Sequence, residues 1–279
     1  MKFIRPISDI HLDFEFANLS KRKMVGKENI WMPSHLETDK DTTLVIPGDL
    51  WNSDKFLEHS NENWLKKVAQ QFHSVVFVLG NHDYWRDNIS FLPKKIYRKV
   101  KSFNMDNVFF LHNNSIIINK VCFIGATLWT DFNGADMVAM FEAENRMNDF
   151  KKIRAGLIYK KISAMDLLAE HYVSKRYIFS EANKAYKNPN VNKIVVVSHH
   201  APSILSCQPK YRNKDNPLIH AYVSSLEEDI ANSPIDFWFH GHVHCVKEYS
   251  LGNTRVIVNA KGYKDIEKTF YNERRVIMV

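Results

Sequence analysis

The sequence predicts an α/β protein in which two stacked mixed β-sheets are flanked by helices. Three observations predict this class. Short runs of β-branched and aromatic residues recur at strand length, a segment with helical spacing lies between two of them, and polar clusters follow several of the runs. The 279 residues, 45% hydrophobic and 25% charged, can bury a large core, so we expect one domain over residues 1–279.

The predicted strands alternate with loops and helical sequence along the whole chain. After the second strand, Trp64, Leu65, Val68 and Phe72 recur at helical spacing and predict an amphipathic helix whose apolar side packs on the core. A central pair of stacked sheets would accommodate this many strands. The predicted strands are residues 2–8, 43–47, 75–79, 108–111, 115–118, 121–126, 193–198, 236–240, 247–251 and 254–259.

Residues from 131 to about 192 differ from the rest, because they lack strand alternation and contain few Gly or Pro. They include a long stretch of helix-favouring residues, so we predict a helical insertion. It lies between the third and fourth polar clusters and could fold over the site as a cap. Asn145, Arg146, Asn148 and Arg154 are its candidates for substrate contacts, although a polar residue on a surface helix is the commoner situation.

Five polar clusters follow predicted strands, and ligands bind beyond the carboxyl ends of such strands. Their carboxylates, imidazoles and amide are donors that Mn, Fe, Co, Ni and Zn accept. Cysteine is absent from all five clusters, whereas structural zinc sites are usually rich in thiolates, so the pattern indicates catalysis. The clusters are Asp9-Ile10-His11, Gly48-Asp49, Gly80-Asn81-His82-Asp83, His199-His200 and Gly241-His242-Val243-His244.

The ordered series D-x-H, G-D, G-N-H-[DE], H and G-H-x-H resembles the calcineurin-like metallophosphoesterase superfamily. The motifs span residues 9–244, nearly the whole chain. The resemblance implies the metallophosphoesterase β-sandwich and a pair of divalent metal ions bridged by Asp49. A carboxylate can span two cations about 3.5–4 Å apart and offset part of their repulsion. The implied ligands are Asp9, His11, Asp49 and His244 for one ion, and Asp49, Asn81, His199 and His242 for the other.

His82 is not expected to bind metal. The resemblance implies that it lies beside the scissile phosphate, where an imidazole can protonate the leaving oxygen or stabilise phosphoryl charge. The expected reaction is in-line attack by a metal-activated hydroxide. His200 could face the substrate or pack below the site, since adjacent strand residues point opposite ways. Tyr84 is a further candidate for substrate binding and could form a stacking wall with Trp51 and Trp85; core or rim packing is the alternative.

The expected function is that of a phosphodiesterase or nucleotide phosphohydrolase acting on a small molecule or a nucleotide. Protein Ser/Thr phosphatases of the superfamily carry G-D-x-V-D-R-G, but the segment that begins at Gly48-Asp49 lacks the second Asp and the Arg. This difference argues against a dedicated protein phosphatase. A metal-dependent nuclease is the alternative, because residues 150–193 carry ten Lys and Arg against three acidic residues, which could attract nucleic acid. A solvated helical face also explains that charge. The second alternative, a non-catalytic binding scaffold, fits poorly with an intact His82 and seven intact ligands.

Mn²⁺ is the cofactor expected first, with Fe, Ni, Zn and Co as alternatives that the same ligands accept. Cys122, Cys207 and Cys245 are odd in number and far apart, which predicts free thiols and a reducing compartment. The apolar runs are far shorter than the roughly 20 residues of a membrane span. The first residues show no apolar segment of the secretory kind. We therefore expect a cytoplasmic protein without a membrane partner, while the substrate, the native metal and the oligomeric state stay open.

Overall fold

A computed structural model of the protein describes residues 1–14, 30–52, 59–213 and 216–279, and within them two large β-sheets pack face to face. Helices cover the outer sides of the sheets. The strands are β1 (Phe3–Pro6), β2 (Thr42–Pro47), β3 (Ser74–Val78), β4 (Val108–Phe110), β5 (Asn114–Ile118), β6 (Val121–Ala126), β7 (Arg154–Ala155), β8 (Lys160–Lys161), β9 (Lys193–Ser198), β10 (Phe237–His240), β11 (Val246–Leu251), β12 (Thr254–Asn259) and β13 (Ile277–Met278). The helices are α1 (His59–Gln71), α2 (Leu92–Ser102), α3 (Phe132–Ala135), α4 (Met137–Arg146), α5 (Asp149–Lys152), α6 (Ala164–Tyr186) and α7 (Glu227–Ala231).

Both large sheets are mixed, as predicted. The first has the strand order β13-β1-β2-β3-β4 and the second the order β11-β12-β10-β9-β6-β5. In the first sheet β1 to β4 run parallel and β13 joins antiparallel at the edge. In the second sheet β6, β9, β10 and β12 run parallel between the antiparallel edge strands β5 and β11. All ten predicted strands form, with ends that differ by at most two residues.

The core has one layer between the sheets and further layers under the helices. Successive side chains of a strand point to opposite faces. Val76 and Val78 of β3 therefore pack between the sheets. Val75 and Phe77 pack on the other face, in the same cluster as Leu65 of α1. Burial on both faces explains why the sequence of β3 is a continuous apolar run.

Residues 131–192 contain helices α3 to α6 together with a hairpin formed by β7 and β8. The sequence did not predict the hairpin, because strands of two residues leave no alternation to detect. Helix α6 packs on β6 and β9, on the outer side of the second sheet. Four residues of the segment, 146–149, line the candidate site, so only this short stretch lies where a cap would.

The loops that carry the polar clusters meet at one edge of the paired sheets. The backbone N–H of Asp9 donates to the carbonyl of Gly48 at 3.2 Å, and that of Gly241 donates to His199 at 3.0 Å. A parallel bridge between Ser8 and Ala260 connects the ends of the two sheets. The first two clusters, and likewise the last two, are therefore tied to each other through their backbones.

The three cysteines are free and buried, which confirms the predicted free thiols. The thiol of Cys245 donates to the carbonyl of Ser206 at 3.4 Å rather than facing the predicted metal ligands. Among the described residues, no helix combines the length and the apolar character needed to cross a membrane.

Candidate metal centre and active site

Most of the predicted metal ligands lie on left-handed backbone, which residues other than glycine adopt rarely. The φ angle is 53° at Asp9, 49° at His11, 54° at Asp49, 69° at His242 and 34° at His244. Each such conformation costs roughly 1–3 kcal/mol and persists only where the surrounding contacts impose it. The fold therefore holds these side chains in directions that regular strands or helices would not give them.

The carboxylate of Asp83 ties the second and third clusters together. It is buried and accepts backbone N–H groups from Gly80 at 2.6 Å, Asp49 at 2.9 Å, Trp51 at 3.0 Å and Leu50 at 3.1 Å. Burial raises the pKa of Asp83 to about 7, although these backbone donors favour the charged form. Asp83 thus holds the backbone of two loops that carry predicted ligands.

Gly48 is needed both for its backbone conformation and for the space around it. Its φ is 81°, and a Cβ there would lie 2.5 Å from Nδ1 of His199 and 2.7 Å from the backbone N of Gly80. Gly156 has a similar φ of 67°, but a Cβ there would meet open space.

We expect Gly48→Ala to lower the melting temperature and the metal affinity far more than Gly156→Ala. Both variants carry the cost of a left-handed alanine, about 1–2 kcal/mol, but only Gly48→Ala displaces His199. Thermal melting and Mn²⁺ titration of the two variants measure the difference. Equal losses of melting temperature and metal affinity in the two variants would show that the left-handed backbone causes them and that the contact with His199 does not.

One group of predicted ligands surrounds Asp9. Nε2 of His244 lies 3.3 Å from Oδ1 of Asp9 and 3.3 Å from Nε2 of His11. Nε2 of His11 also lies 3.8 Å from Oδ2 of Asp49. The ligand atoms of Asp9, His11 and His244 all lie within 4.8 Å of one another, which is close enough to share one cation.

A second group surrounds His199. Its Nε2 lies 2.9 Å from Oδ1 of Asn81 and 3.5 Å from Oδ1 of Asp49, and its Nδ1 donates to the carbonyl of Pro47 at 2.9 Å. This last contact fixes the ring and leaves Nε2 directed at the site. The ring of His242 lies 5.0 Å from that of His199, and its buried Nε2 has no hydrogen-bond partner among the described residues. An unpaired buried nitrogen on a ring next to His199 fits a metal ligand.

The charges in the site are unfavourable for a protein without cations. Burial and the neighbouring carboxylates raise the pKa of Asp49 well above its usual range. Burial lowers the pKa of His242 well below its usual range. Burial also lowers the pKa of His244, but Asp9 and Glu267 outweigh it and raise that pKa to about 10. Because a ligating imidazole must be neutral, metal binding would release the proton that His244 holds.

His82 stands at the edge of these groups. Its backbone N–H donates to Oδ1 of Asp49 at 2.9 Å, and its Nε2 lies 3.3 Å from the hydroxyl of Tyr263. Its ring stacks on Trp85, with the ring centres 3.5 Å apart and the planes at 27°. Burial, and then the charge of His199, lower the pKa of His82 to about 3. The imidazole is therefore neutral at neutral pH and can donate only one N–H to a neighbour.

A cavity of about 550 Å³ opens over the predicted ligands. Arg146 and Asn148, two of the residues of the inserted segment predicted to contact substrate, lie on its wall. Much of the remaining wall is aromatic or apolar, which suits a substrate with a flat or apolar group. The aromatic and apolar lining residues are Trp85, Met147, Tyr211, Leu218, Ile219, Tyr222, Val243 and Tyr263.

Other candidates for substrate contact do not reach the cavity as the structure describes it. Tyr84 is fully buried and packs on Trp129, because the short helical turn after Asn81 directs it into the core. The guanidinium of Arg154 bonds backbone carbonyls of the inserted segment. The amide of Asn145 donates to a carbonyl of its own helix.

His200 and Trp51 also pack below the site. His200 is 2% exposed, and its Nδ1 lies 3.4 Å from the carbonyl of Thr127. Its ring lies 4.3 Å from that of His242, so it packs behind a predicted metal ligand. Trp51 packs against Trp64 of α1. The structure thus shows His200 and Trp51 packed in the interior, which was the alternative that the sequence left open.

The structure also places residues in the site that the sequence did not single out. Glu267 contacts Nδ1 of His244, and Tyr263 stacks on His11 with ring centres 4.3 Å apart. Both follow β12, whose carboxyl end lies at the same edge as that of β10. Their position after a predicted strand could therefore have indicated that they lie near the site. Asp149 is buried beside Asn81. Nothing in the sequence around Asp149 indicated this.

Comparison with known proteins agrees with the geometry. The family model of the calcineurin-like phosphoesterases matches residues 7–246, a range that contains all five clusters. An uncharacterized protein of Acanthamoeba polyphaga mimivirus is 24% identical over 291 residues, which cover 97% of this chain and 94% of the relative. The crystal structure of phosphopantetheinyl hydrolase (PptH) from Mycobacterium tuberculosis is similar with a TM-score of 0.63 and 12% identity, over 99% of this chain and 95% of that chain. At this identity the structural similarity supports the fold.

Proposed function

Because this chain belongs to the calcineurin-like phosphoesterase family and is therefore a phosphoester hydrolase, we propose that it hydrolyses small phosphodiesters or nucleotides with two divalent metal ions. One observation carries the proposal. The two oxygens of the Asp49 carboxylate face different imidazoles, with Oδ2 3.8 Å from Nε2 of His11 and Oδ1 3.5 Å from Nε2 of His199. A carboxylate that bridges two cations needs this arrangement.

The donor set fits a pair of ions. Carboxylate, imidazole and amide oxygen are borderline-to-hard ligands, and Mn²⁺ is the ion we propose first. Bound cations would offset the negative charge of the buried carboxylates and would give the unpaired nitrogen of His242 a partner. Asp9, His11, Asp49 and His244 would hold one ion, and Asp49, Asn81, His199 and His242 would hold the other.

When bound, the two ions would polarise the phosphoryl oxygens and lower the pKa of an attacking water. The chain supplies the remaining functions. His82 borders the cavity, and its imidazole can donate a hydrogen bond to the phosphoryl group or a proton to the leaving oxygen. Arg146 lies on the cavity wall, where a guanidinium can bind a second phosphate or another anionic group of the substrate.

The size of the cavity favours a small substrate over a nucleic acid, since its volume of about 550 Å³ is within the range of small-molecule sites. The positive charge of residues 150–193, which motivates the nuclease alternative, is partly neutralised by acidic residues. Lysines in this segment pair with acidic neighbours, namely Lys160 with Asp166, Lys175 with Asp229 and Lys193 with Asp236. Such pairs reduce the net attraction for a phosphate backbone.

We expect the purified protein to cleave at least one small phosphoester in a metal-dependent manner. The panel comprises nucleotides, cyclic nucleotides, chromogenic mono- and diesters, and single- and double-stranded DNA and RNA, each assayed with Mn²⁺, Ni²⁺, Zn²⁺ and Mg²⁺. Chelation should abolish the activity and added metal should restore it.

The Asp49→Asn variant, purified identically, controls for contaminating phosphatases. Cleavage of nucleic acids alone, weakening steeply with salt, would establish the nuclease instead. A metal-loaded protein that cleaves nothing in the panel would contradict the proposal.

A further inference from the structure

We propose that Asp149, which the inserted segment supplies, is a positioning residue that sets the amide orientation of Asn81 and holds Trp85 against His82. The inference rests on the proposed function, because Asn81 matters here as a metal ligand. Asp149 touches neither substrate nor metal in this scheme. Its effect passes through the two side chains that it binds.

A single carboxylate oxygen receives both contacts. Oδ1 of Asp149 accepts the amide Nδ2–H of Asn81 at 3.0 Å and the indole Nε1–H of Trp85 at 2.6 Å. Asp149 is 3% exposed and Asn81 is 4% exposed, so water does not compete freely for these groups. Hydrogen bonds to a buried carboxylate are stronger than those between neutral groups.

The contact with Asp149 decides which end of the Asn81 amide faces the metal. A carboxylate only accepts hydrogen bonds, so the amide atom that faces Asp149 must be the nitrogen. The amide oxygen is then turned toward Nε2 of His199, 2.9 Å away, where the second ion would bind. Rotation of the amide by 180° would present N–H donors to a cation and place two acceptors face to face.

The contact with Trp85 extends to the proposed catalytic imidazole. The indole that donates to Asp149 also stacks on His82 at 3.5 Å. The ammonium of Lys152, three residues after Asp149, lies 3.4 Å from the centre of the same indole ring. The backbone N–H of Arg86 donates to the carbonyl of Lys152 at 2.9 Å. Helix α5 therefore binds the loop of the third motif through both side chains and backbone.

We expect Asp149→Asn to weaken the binding of one Mn²⁺ ion by about 10–100-fold, which is typical for loss of a group that orients a metal ligand. The variant loses the negative charge that strengthens both hydrogen bonds, so it holds the amide of Asn81 less firmly in one orientation. Calorimetric titration of the metal-free protein reports affinity and stoichiometry independently of activity. The second ion should bind with nearly unchanged affinity.

Asp131→Asn is the matched control. Asp131 is also a buried carboxylate of the inserted segment, and it accepts backbone N–H groups from Asn133 and Ser225 rather than from a ligand. This control should bind both ions like the wild type. If it weakens binding as much as Asp149→Asn does, general loosening of the segment explains the effect and the proposal fails.

Combining Asp149→Asn with Asn81→Ala provides a second test. Without the amide of Asn81 there is no group for residue 149 to orient, so Asp149→Asn should cost little further Mn²⁺ affinity in that background. We expect the two losses not to add, a coupling that independent sites do not show. Additive losses would overturn the proposal even if Asp149→Asn alone folds poorly. A wild-type protein that binds no ions would instead contradict the proposed function.

Discussion

Replacing His82 with alanine is expected to lower turnover by about 10²–10⁴-fold, the usual contribution of a positioned acid or base, while the protein still binds its metal ions. The ligand geometry should survive, because the contact from residue 82 to Oδ1 of Asp49 comes from the backbone N–H. Steady-state kinetics on the best substrate of the panel and Mn²⁺ titration of the same preparation measure the two properties separately.

The size of this loss should depend on the leaving group if His82 transfers a proton. The pKa of about 3 leaves the metal-free imidazole neutral at neutral pH, so a bound phosphoester would have to raise that pKa before His82 could act as an acid. A nitrophenolate leaves without protonation, whereas an alkyl alkoxide needs it. A loss that is large for an alkyl ester and small for a nitrophenyl ester would therefore indicate proton donation. Equal losses would indicate a hydrogen bond to the phosphoryl oxygens.

His112→Ala is a suitable control for the His82 variant, because burial also lowers the pKa of His112, to about 4, but this residue does not line the catalytic cavity that the structure describes. Its turnover should stay close to that of the wild type. Unchanged turnover of His82→Ala with both leaving groups would remove His82 from the reaction. Loss of metal binding would make it a ligand, which its position within 4.8 Å of His11 and Asp49 permits.

Much of the fold could be predicted because its strands are long and buried. The run in β3 and the alternation in β12 are strong signals, and each polar cluster begins where a strand ends. Parallel strands place their carboxyl ends at a common edge. Convergence of the five clusters therefore followed from the strand assignments. The strands of β7 and β8 are too short to give such a signal.

The direction of individual side chains could not be predicted in the same way. Tyr84 lies three residues from Asn81, but a helical turn directs it toward Trp129 and away from the cavity. Asp149 meets Asn81 across 68 residues of sequence, and no local pattern indicates a contact of that kind. Tyr263 lies at the right strand end but outside the recognised motifs. Groups that share a motif are visible in the sequence, whereas groups that tertiary packing brings into the site are not.

Asp49→Asn is expected to have opposite effects on metal binding and on the stability of the metal-free protein. The amide keeps the shape of the side chain but cannot bridge two cations with a negative charge, so metal binding and turnover should both be lost. Without metal, Asp49 is a buried carboxylate close to Asp9 and Asp83, and burial and these neighbours raise its pKa well above 3.8. The neutral amide should therefore raise the melting temperature of the metal-free protein at neutral pH.

The pH dependence of that difference follows from the direction of the pKa shift. A carboxyl group whose pKa is higher in the folded state than in the unfolded chain favours folding when it is protonated, and this contribution is lost as the pH rises through the folded pKa. The wild type should therefore lose stability relative to Asp49→Asn as the pH rises. Near the ordinary aspartate pKa of 3.8 and below, the two melting temperatures should approach each other.

Added Mn²⁺ should reverse the order of the two proteins. A ligand present at about a thousand times its dissociation constant stabilises the folded state by about 4 kcal/mol, and only the wild type should gain this. Melting curves with chelator and with Mn²⁺, at several pH values, test both parts. If Asp49→Asn melts below the wild type in chelator at neutral pH, the carboxylate of Asp49 stabilises the fold without metal. Its position between two groups of imidazoles would then have a structural role and would not indicate a bridge for cations.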